Sequence, residues 1–222
     1  MPPKTPLTLI VAATKQLGIG QSGKLPWPSL PTEMGYFRRV TTRLPPSTPQ
    51  PAQNAVIMGR KTWDSIPPKF RPLKDRINVV VTRSGTVEGL QDARAKGRVV
   101  VVASLEEGLQ KLDGLRKEEG LGEAFVIGGS TLYQAALELS QTKRVLLTKI
   151  LKEFECDTFL SLDFEGEEGV KAGWKRRSWD ELEQYAGADV VKGVEQAKST
   201  YHGEGRVTEG DVEFEFCFFE RG

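Results

Sequence analysis

Ala55-Val56-Ile57-Met58-Gly59-Arg60-Lys61-Thr62 is the stretch that decides the fold class. An unbroken apolar run fits a strand covered on both faces, as in parallel sheets. Gly59 ends the run, and the polar residues after it stand at the start of a short helix from Lys61. The same grammar returns twice. Val79-Val80-Val81 leads into Thr82-Arg83-Ser84, and Phe125-Val126-Ile127 leads into Gly128-Gly129-Ser130-Thr131. Leu7–Ala13, Ile77–Val81, Val99–Ala103, Ala124–Ile127 and Val145–Ile150 read as further strands. Helical spacing marks Leu30–Thr42, a segment with Leu105, Leu109 and Leu112 in register, and Ser130–Leu139. Val212–Glu220 alternates more clearly, as an edge strand does, with Trp174–Trp179 as its candidate partner. The expected architecture is therefore single-domain α/β. It has a central, mostly parallel sheet, an antiparallel C-terminal edge strand and helices on both faces. Residues 1–222 read as one domain, with loop insertions near 44–53 and 185–211.

Composition narrows the function. With 31 basic and 30 acidic side chains, no net field favours nucleic acid or membrane. Cys156 and Cys217 have neither metal-type spacing nor a disulfide framework, so a reducing, cytoplasmic setting is expected. No apolar run approaches the ~20 residues of a membrane helix. Leu7–Ala13 is too short for that and runs straight into a motif-bearing loop, which favours a buried strand over a signal peptide. The one histidine, His202, lies in a Gly- and Glu-rich stretch read as a solvated loop. A histidine-rich metal site is thereby excluded, and no metal is expected. Acid–base work falls to a carboxylate, a tyrosine or water.

The loop Gly18-Ile19-Gly20-Gln21-Ser22-Gly23-Lys24-Leu25-Pro26-Trp27-Pro28 matches the dinucleotide pattern G-x-G-x-x-G and nearly matches a P-loop. Both motifs need a helix to begin here, so that its amides face phosphate. Pro26 and Pro28 forbid that helix, and Leu25 stands where a P-loop needs a hydroxyl. The loop reads either as a mobile glycine-rich segment or as one that folds over a ligand and excludes water. Trp27 would then be a rigid aromatic wall beside it.

Better anion chemistry lies at the ends of the three strands that close on Gly59, Thr82 and Gly128. Ligands of open α/β sheets sit beyond the carboxyl ends of strands, where glycine admits phosphate and helix N-termini supply amides. Three such ends point to a dinucleotide, and Arg60, Lys61 and Arg83 favour NADP over NAD.

Glu33 is the oddity. At about 100° per residue, Leu30, Glu33, Met34, Phe37 and Val40 share a helix face expected to point inward. A lone acid there is costly unless something polar meets it. One reading is an N-terminal acid favoured by the helix dipole. The other is a partner for a ligand.

Together these residues resemble the dihydrofolate reductase family. The matching segments are Ile10-Val11-Ala12, Gly18 through Pro28, Glu33–Phe37, Val56–Trp63, Arg71–Asn78, Ile127–Ser130 and Phe154–Phe159. They span most of the chain in order, with spacing similar to eukaryotic, fungal-like members. The resemblance implies hydride transfer from NADPH to C6 of the pterin of 7,8-dihydrofolate, with N5 gaining a proton. The product, tetrahydrofolate, supplies one-carbon metabolism, and antifolates would be inhibitors. It also implies that Glu33 holds the pterin through paired hydrogen bonds, with Thr148 supporting it and Trp27 beside it as the catalytic group. Water organised near Glu33 would deliver the proton. Phe37 would stack on the pterin. Ile10, Val11, Met34, Ile127 and Tyr133 would complete its surroundings, while Ile66, Pro67 and Leu73 line the benzoyl region. Arg76 would hold the glutamate-tail carboxylate. On the cofactor side, Ala12, Ile19, Gly20, Gly23, Lys24 and Leu25 would flank the nicotinamide and pyrophosphate. Gly128, Gly129, Ser130, Thr131 and Leu132 would do the same. Gly59, Arg60, Lys61, Thr62, Thr82, Arg83 and Ser84 would hold the adenosine phosphates.

Four features depart from the family pattern. Met34 replaces a common phenylalanine or leucine. Gly35 sits mid-helix at a cost of about 1 kcal/mol relative to alanine. Val102-Ala103-Ser104 lacks an arginine that some members use near adenine, and Tyr185–Asp211 has no close counterpart. Arg38 is a second candidate for the tail carboxylate. A monomer is expected. The rival readings are a riboflavin-pathway pyrimidine reductase on the same core, a P-loop nucleotide-binding protein, and a non-enzymatic binding module. The first does not require Glu33, Trp27 and Phe37 together.

Overall fold

The structure, a computed structural model, describes residues 5–45, 48, 51–118, 120–197 and 199–222. The first elements in chain order are β1 (Leu7–Thr14), β2 (Gly18–Gly20), α1 (Pro31–Thr42), β3 (Gln53–Gly59), α2 (Arg60–Ser65), β4 (Arg76–Val81) and α3 (Leu90–Lys96). Next come β5 (Val99–Val102), α4 (Leu105–Glu118), β6 (Leu121–Val126), α5 (Ser130–Leu137), β7 (Thr142–Ile150) and β8 (Thr158–Phe159). The last are α6 (Glu167–Lys171), β9 (Lys175–Arg177), α7 (Trp179–Ala186), α8 (Ala188–Glu195), β10 (Thr200–Gly203), β11 (Arg206–Glu209) and β12 (Val212–Glu220). The chain divides into two compact units. One is Met1–Thr8 with Thr41–Thr142, and the other is Leu9–Val40 with Lys143–Gly222.

In the first unit the strands lie in the order β6-β3-β4-β5, every neighbouring pair parallel. The unbroken apolar runs become β3 and β4, buried along almost their whole length. Helix α4 buries Leu105, Gly108, Leu109 and Leu112. It sits so close that a Cβ at Gly108 would lie 3.2 Å from Val79 Cγ1. Two buried asparagines tie the loops to this sheet. Asn54 donates to the carbonyls of Thr41 (3.0 Å) and Arg43 (2.7 Å) and accepts from Glu123 N (2.9 Å). Gly122 must lack a side chain, because its Cβ would fall 2.1 Å from Asn54 Oδ1. Asn78 donates to Leu73 O and Arg76 O and accepts from Leu73 N, which sets the loop before β4.

The second unit carries the order β10-β11-β12-β7-β1, with β9 also on β12. The β10–β11, β11–β12, β12–β7 and β12–β9 pairs are antiparallel. β11 covers one edge of the first half of β12, and β9 covers the second half. Burial along β12 alternates over its first residues and is nearly continuous after them. Its aromatics gather neighbours. Phe219 meets Phe164, Phe218 stacks on Tyr185, and Phe216 meets Tyr36 of α1 at 4.2 Å.

The α/β class, the parallel strands and the antiparallel C-terminal strand are as the sequence predicts. Three expectations need correction. The segment 185–211 is not a loop insertion, since it completes α7 and forms α8 and the β10–β11 hairpin. Val190, Val191 and Val194 bury one face of α8, a spacing hidden in a polar, glycine-rich stretch. The partner strand expected at Trp174–Trp179 shrinks to Lys175–Arg177, because Ser178 and Glu181 form a capping box that starts α7. His202 lies on β10, not in a loop, and its Nε2 is 2.8 Å from Thr208 Oγ1 across the hairpin. Of the insertion expected at 44–53, residues 46, 47, 49 and 50 lie outside the described residues. No helix among the described residues is long and apolar enough to cross a membrane.

Replacing Asn54 with alanine should destabilise the protein by about 2–4 kcal/mol, because it strands several buried backbone groups. Urea unfolding measures this, and a loss under about 0.5 kcal/mol, the scale of an ordinary surface substitution, would refute the structural role of Asn54.

Candidate active site

The expected site residues fall into two clusters, one in each unit. The cluster of the second unit is built on α1. Thr32, Tyr36 and Val40 form the buried stripe of this helix, repeating every fourth residue. Met34 lies about 200° from Thr32 on the helical wheel and is 51% exposed. The buried face is therefore rotated from the expected one. Met34 does not pack inward, and Phe37 is only half-buried. Tyr36 takes the core position, with its ring against Phe216. Glu33 stands at the border of the stripe and is half-buried.

At that border Glu33 meets Thr148 of β7, whose Oγ1 donates to Glu33 Oε1 at 3.3 Å. Thr148 is itself buried. Burial of the carboxyl pushes Glu33 up to about 7. The Thr148 hydrogen bond pulls the other way, and the charge of Glu209 adds to the rise. Burial also raises the Tyr36 hydroxyl far above its ordinary value, with Tyr185 and then Glu33 contributing. Thus one carboxyl can hold or release a proton near neutral pH, which suits general acid–base chemistry.

Gly35, costly on sequence grounds, gains a structural reason. A Cβ there would lie 3.1 Å from Arg39 Nη1, and one at Gly193 of α8 would lie 2.5 Å from Arg39 Cζ. Both glycines leave room for the Arg39 guanidinium between α1 and α8. Asp189 of α8 supplies the opposing charge.

The Gly18–Lys24 segment neither starts a helix nor hangs free. β2 pairs antiparallel with β8, Gln21 and Lys24 close a turn, and Asp157 Oδ2 accepts from Ser22 N at 2.6 Å. Gly18 is required because its Cβ would meet Cys156 Sγ at 2.3 Å, and Gly23 has φ +74°. Ile19 and Gly20 lie in β2, while Gly23, Lys24 and Leu25 are exposed. Trp27 is buried with its ring edge-on to Phe154 at 6.2 Å. Ile10, Val11 and Ala12 lie on β1.

The cluster of the first unit gathers at strand ends. Ile127 N donates to Ile57 O and Gly59 N donates to Gly128 O, bringing the ends of β3 and β6 side by side. The Gly128–Gly129 peptide is cis. A Cβ on Gly128 would come within 3.2 Å of Thr62 Oγ1 and 3.5 Å of the Tyr133 ring. Helices α2 and α5, with Ser130, Thr131 and Leu132 opening the latter, start at Gly59 and Gly129. Neither start has a side-chain cap. Lys61, Arg83 and Ser84 are exposed, and Thr82 is buried with its hydroxyl 3.0 Å from Ser84 Oγ. Arg60 instead pairs with Asp64 at 3.2 Å, one helical turn on. Farther along, Arg76 is buried. Its Nε donates to Lys74 O (2.9 Å) and its Nη1 to Thr41 Oγ1 (2.7 Å). Ile66, Pro67 and Leu73 lie on the segment between α2 and β4 and are partly or fully exposed.

Sequence reasoning missed Glu209, whose link to α1 crosses most of the chain, and Arg39, whose slot is visible only once α8 is placed. The capping box at Ser178 had a local signal, a serine followed three residues later by Glu181.

The family model described as dihydrofolate reductase matches residues 6–190. The dihydrofolate reductase of Pneumocystis carinii is 40% identical over 84% of this chain and 88% of its own. That of Cryptococcus neoformans is 39% identical over 88% and 91%, and that of Gallus gallus is 44% identical over 69% and 76%.

The raised Glu33 carboxyl has a thermodynamic consequence. Its folded value of about 7 exceeds its ordinary value of 4.5. The native state then binds more protons between those two values, so stability falls as pH rises through that window. The fall attributable to Glu33 is on the order of 3 kcal/mol. Glu33→Gln should remove this slope, so the variant gains stability over the unmodified protein from pH ~5 to ~8 in urea unfolding. Parallel stability curves would refute the shift.

Proposed function

This chain belongs to the dihydrofolate reductase family, and on that premise we propose that it reduces 7,8-dihydrofolate to 5,6,7,8-tetrahydrofolate with NADPH. The observation that carries the reading is the Glu33–Thr148 pair, a carboxyl poised near neutrality on a helix whose neighbouring Phe37 and Met34 retain apolar exposure.

The pterin presents two adjacent N–H groups to a carboxylate, and a pair of charge-assisted hydrogen bonds fixes its plane. Thr148 holds one oxygen of Glu33 and thereby sets the plane of the carboxyl. Phe37, one turn along the same face of α1, supplies a ring for the heterocycle to stack on. Trp27 is braced by Phe154 and limits water on its side. Arg76 has its guanidinium oriented by Lys74 and Thr41, which suits it to a carboxylate of the glutamate tail. Glu33 also serves as the reservoir from which ordered water relays a proton to N5.

The first-unit cluster fits a dinucleotide phosphate. Gly128 leaves a hollow that a Cβ would fill, and the uncapped starts of α2 and α5 offer backbone amides. Lys61, Thr62, Arg83 and Ser84 would hold the adenosine end, with Arg83 on the 2′-phosphate. When bound, NADPH supplies the hydride from nicotinamide C4 to pterin C6. The side chains orient the reactants and exclude water.

Folate-dependent loss of the NADPH absorbance tests the reading directly, and no such loss would end it. Glu33→Gln should lower turnover near neutral pH by at least about a hundredfold, the usual weight of general acid–base help, while NADPH still binds. Unchanged kcat would remove Glu33 from the chemistry. Arg83→Ala should weaken NADPH far more than NADH, as titration of protein fluorescence would report. Equal losses would take Arg83 away from the 2′-phosphate.

A further inference from the structure

Glu209 ends β11, within a stretch that shows no motif in the sequence. Its carboxylate reaches the first turn of α1. Oε2 accepts from Thr32 N at 3.0 Å and Oε1 at 3.3 Å, while Oε1 also accepts from Thr32 Oγ1 at 2.9 Å. Thr32 Oγ1 lies 3.1 Å from Ser199 Oγ, so the start of β10 joins the same knot. A carboxylate at the start of a helix satisfies orphan amides and opposes the positive end of the dipole. In this protein it comes from a hairpin 177 residues later in the chain.

We propose that Glu209 is a positioning residue of the reductase, fastening the start of α1 and placing a second negative charge beside Glu33. This inference rests on the folate-reducing function proposed for the chain. Thr32 and Glu33 are chain neighbours in the first turn of α1, and the charge of Glu209 acts on Glu33.

Arg206, on the same strand, pairs with Glu213 (3.7 Å), and Arg176 is taken by Glu165 and Glu215. Among the described residues Glu209 itself forms no ion pair, and its partners are the amide and hydroxyl of Thr32. The other groups facing Glu33 are Thr148 of β7 and Tyr36 of α1, the latter coupled to Tyr185 of α7 and Cys217 of β12. Thr148 favours the charged form of Glu33, and Glu209 favours the protonated form, as burial does. The hairpin thus helps keep a proton on Glu33 at a pH where an ordinary carboxyl has lost it.

The experiment is the pH profile of kcat for dihydrofolate reduction in the unmodified enzyme, Glu209→Gln and Glu209→Asp. Gln can still accept from Thr32 but has no charge, whereas Asp keeps the charge. Glu209→Gln should shift the falling alkaline limb downward by about half a unit. Turnover above the limb then drops about threefold, with the acid plateau unchanged. Glu209→Asp should keep the limb where it was. A uniform loss at every pH would mean a merely structural role and overturn the proposal. So would an unmoved limb in Glu209→Gln, or equal shifts in both variants. If Glu209→Gln does not fold, the limb is followed in the unmodified enzyme from low to high salt, where screening of a half-exposed charge should lower it. A limb that ignores salt would then overturn the proposal. Absence of any folate turnover in the unmodified protein would instead sink the underlying function, so the two failures are distinguishable.

Discussion

A carboxyl group held at the border between core and solvent is the constraint on which the site depends. Glu33 is shielded enough to resist ionisation, yet it is not sealed in. Thr148 gives one oxygen a hydrogen-bond partner, while the residue as a whole is half-buried. Either extreme would spoil the chemistry. A fully exposed carboxyl would be ionised and mobile at neutral pH, and a fully buried one would stay protonated and beyond reach.

Holding that border requires α1 to be fixed in rotation as well as position. Tyr36 keys the helix into the sheet through Phe216. Arg39 lies in a slot that Gly35 and Gly193 keep open, and Glu209 grips Thr32. A turn of the helix by one residue, about 100°, would carry Glu33 out of reach of Thr148. Much of the C-terminal part of the chain, from α8 to β11, therefore bears on the orientation of one side chain. The exposed Met34 and half-exposed Phe37 follow from the same setting of the helix, because both lie away from the Thr32–Tyr36–Val40 stripe.

The strands were legible because apolar runs such as Val56–Met58 and Val79–Val81 leave little choice, and glycine marks where they stop. The phase of α1 was not. Tyr36 and Thr32 are polar by name yet bury their bodies, while Met34 is apolar and faces out. The segment 185–211 was misread because its glycines and charges mask short elements stabilised by contacts far away in sequence. The glycines were legible as strand ends, and the structure sets Gly59 and Gly128 side by side through a backbone hydrogen bond. Arg60 pairs with Asp64 one helical turn on, a contact that the i,i+4 spacing already offers. No local signal could have revealed Glu209, because a cap supplied across the fold leaves no trace in the residues beside the helix it caps.

Whether Glu33 sits near neutrality can be measured without any assay of turnover. Carbon-13 labelling of glutamate side chains, followed by NMR titration of the protein and of its Glu33→Gln variant, isolates the one missing resonance. That resonance should titrate at about 7. A carboxyl that titrates with the ordinary glutamates, near 4.5, would contradict the control of Glu33 by burial, Thr148 and Glu209.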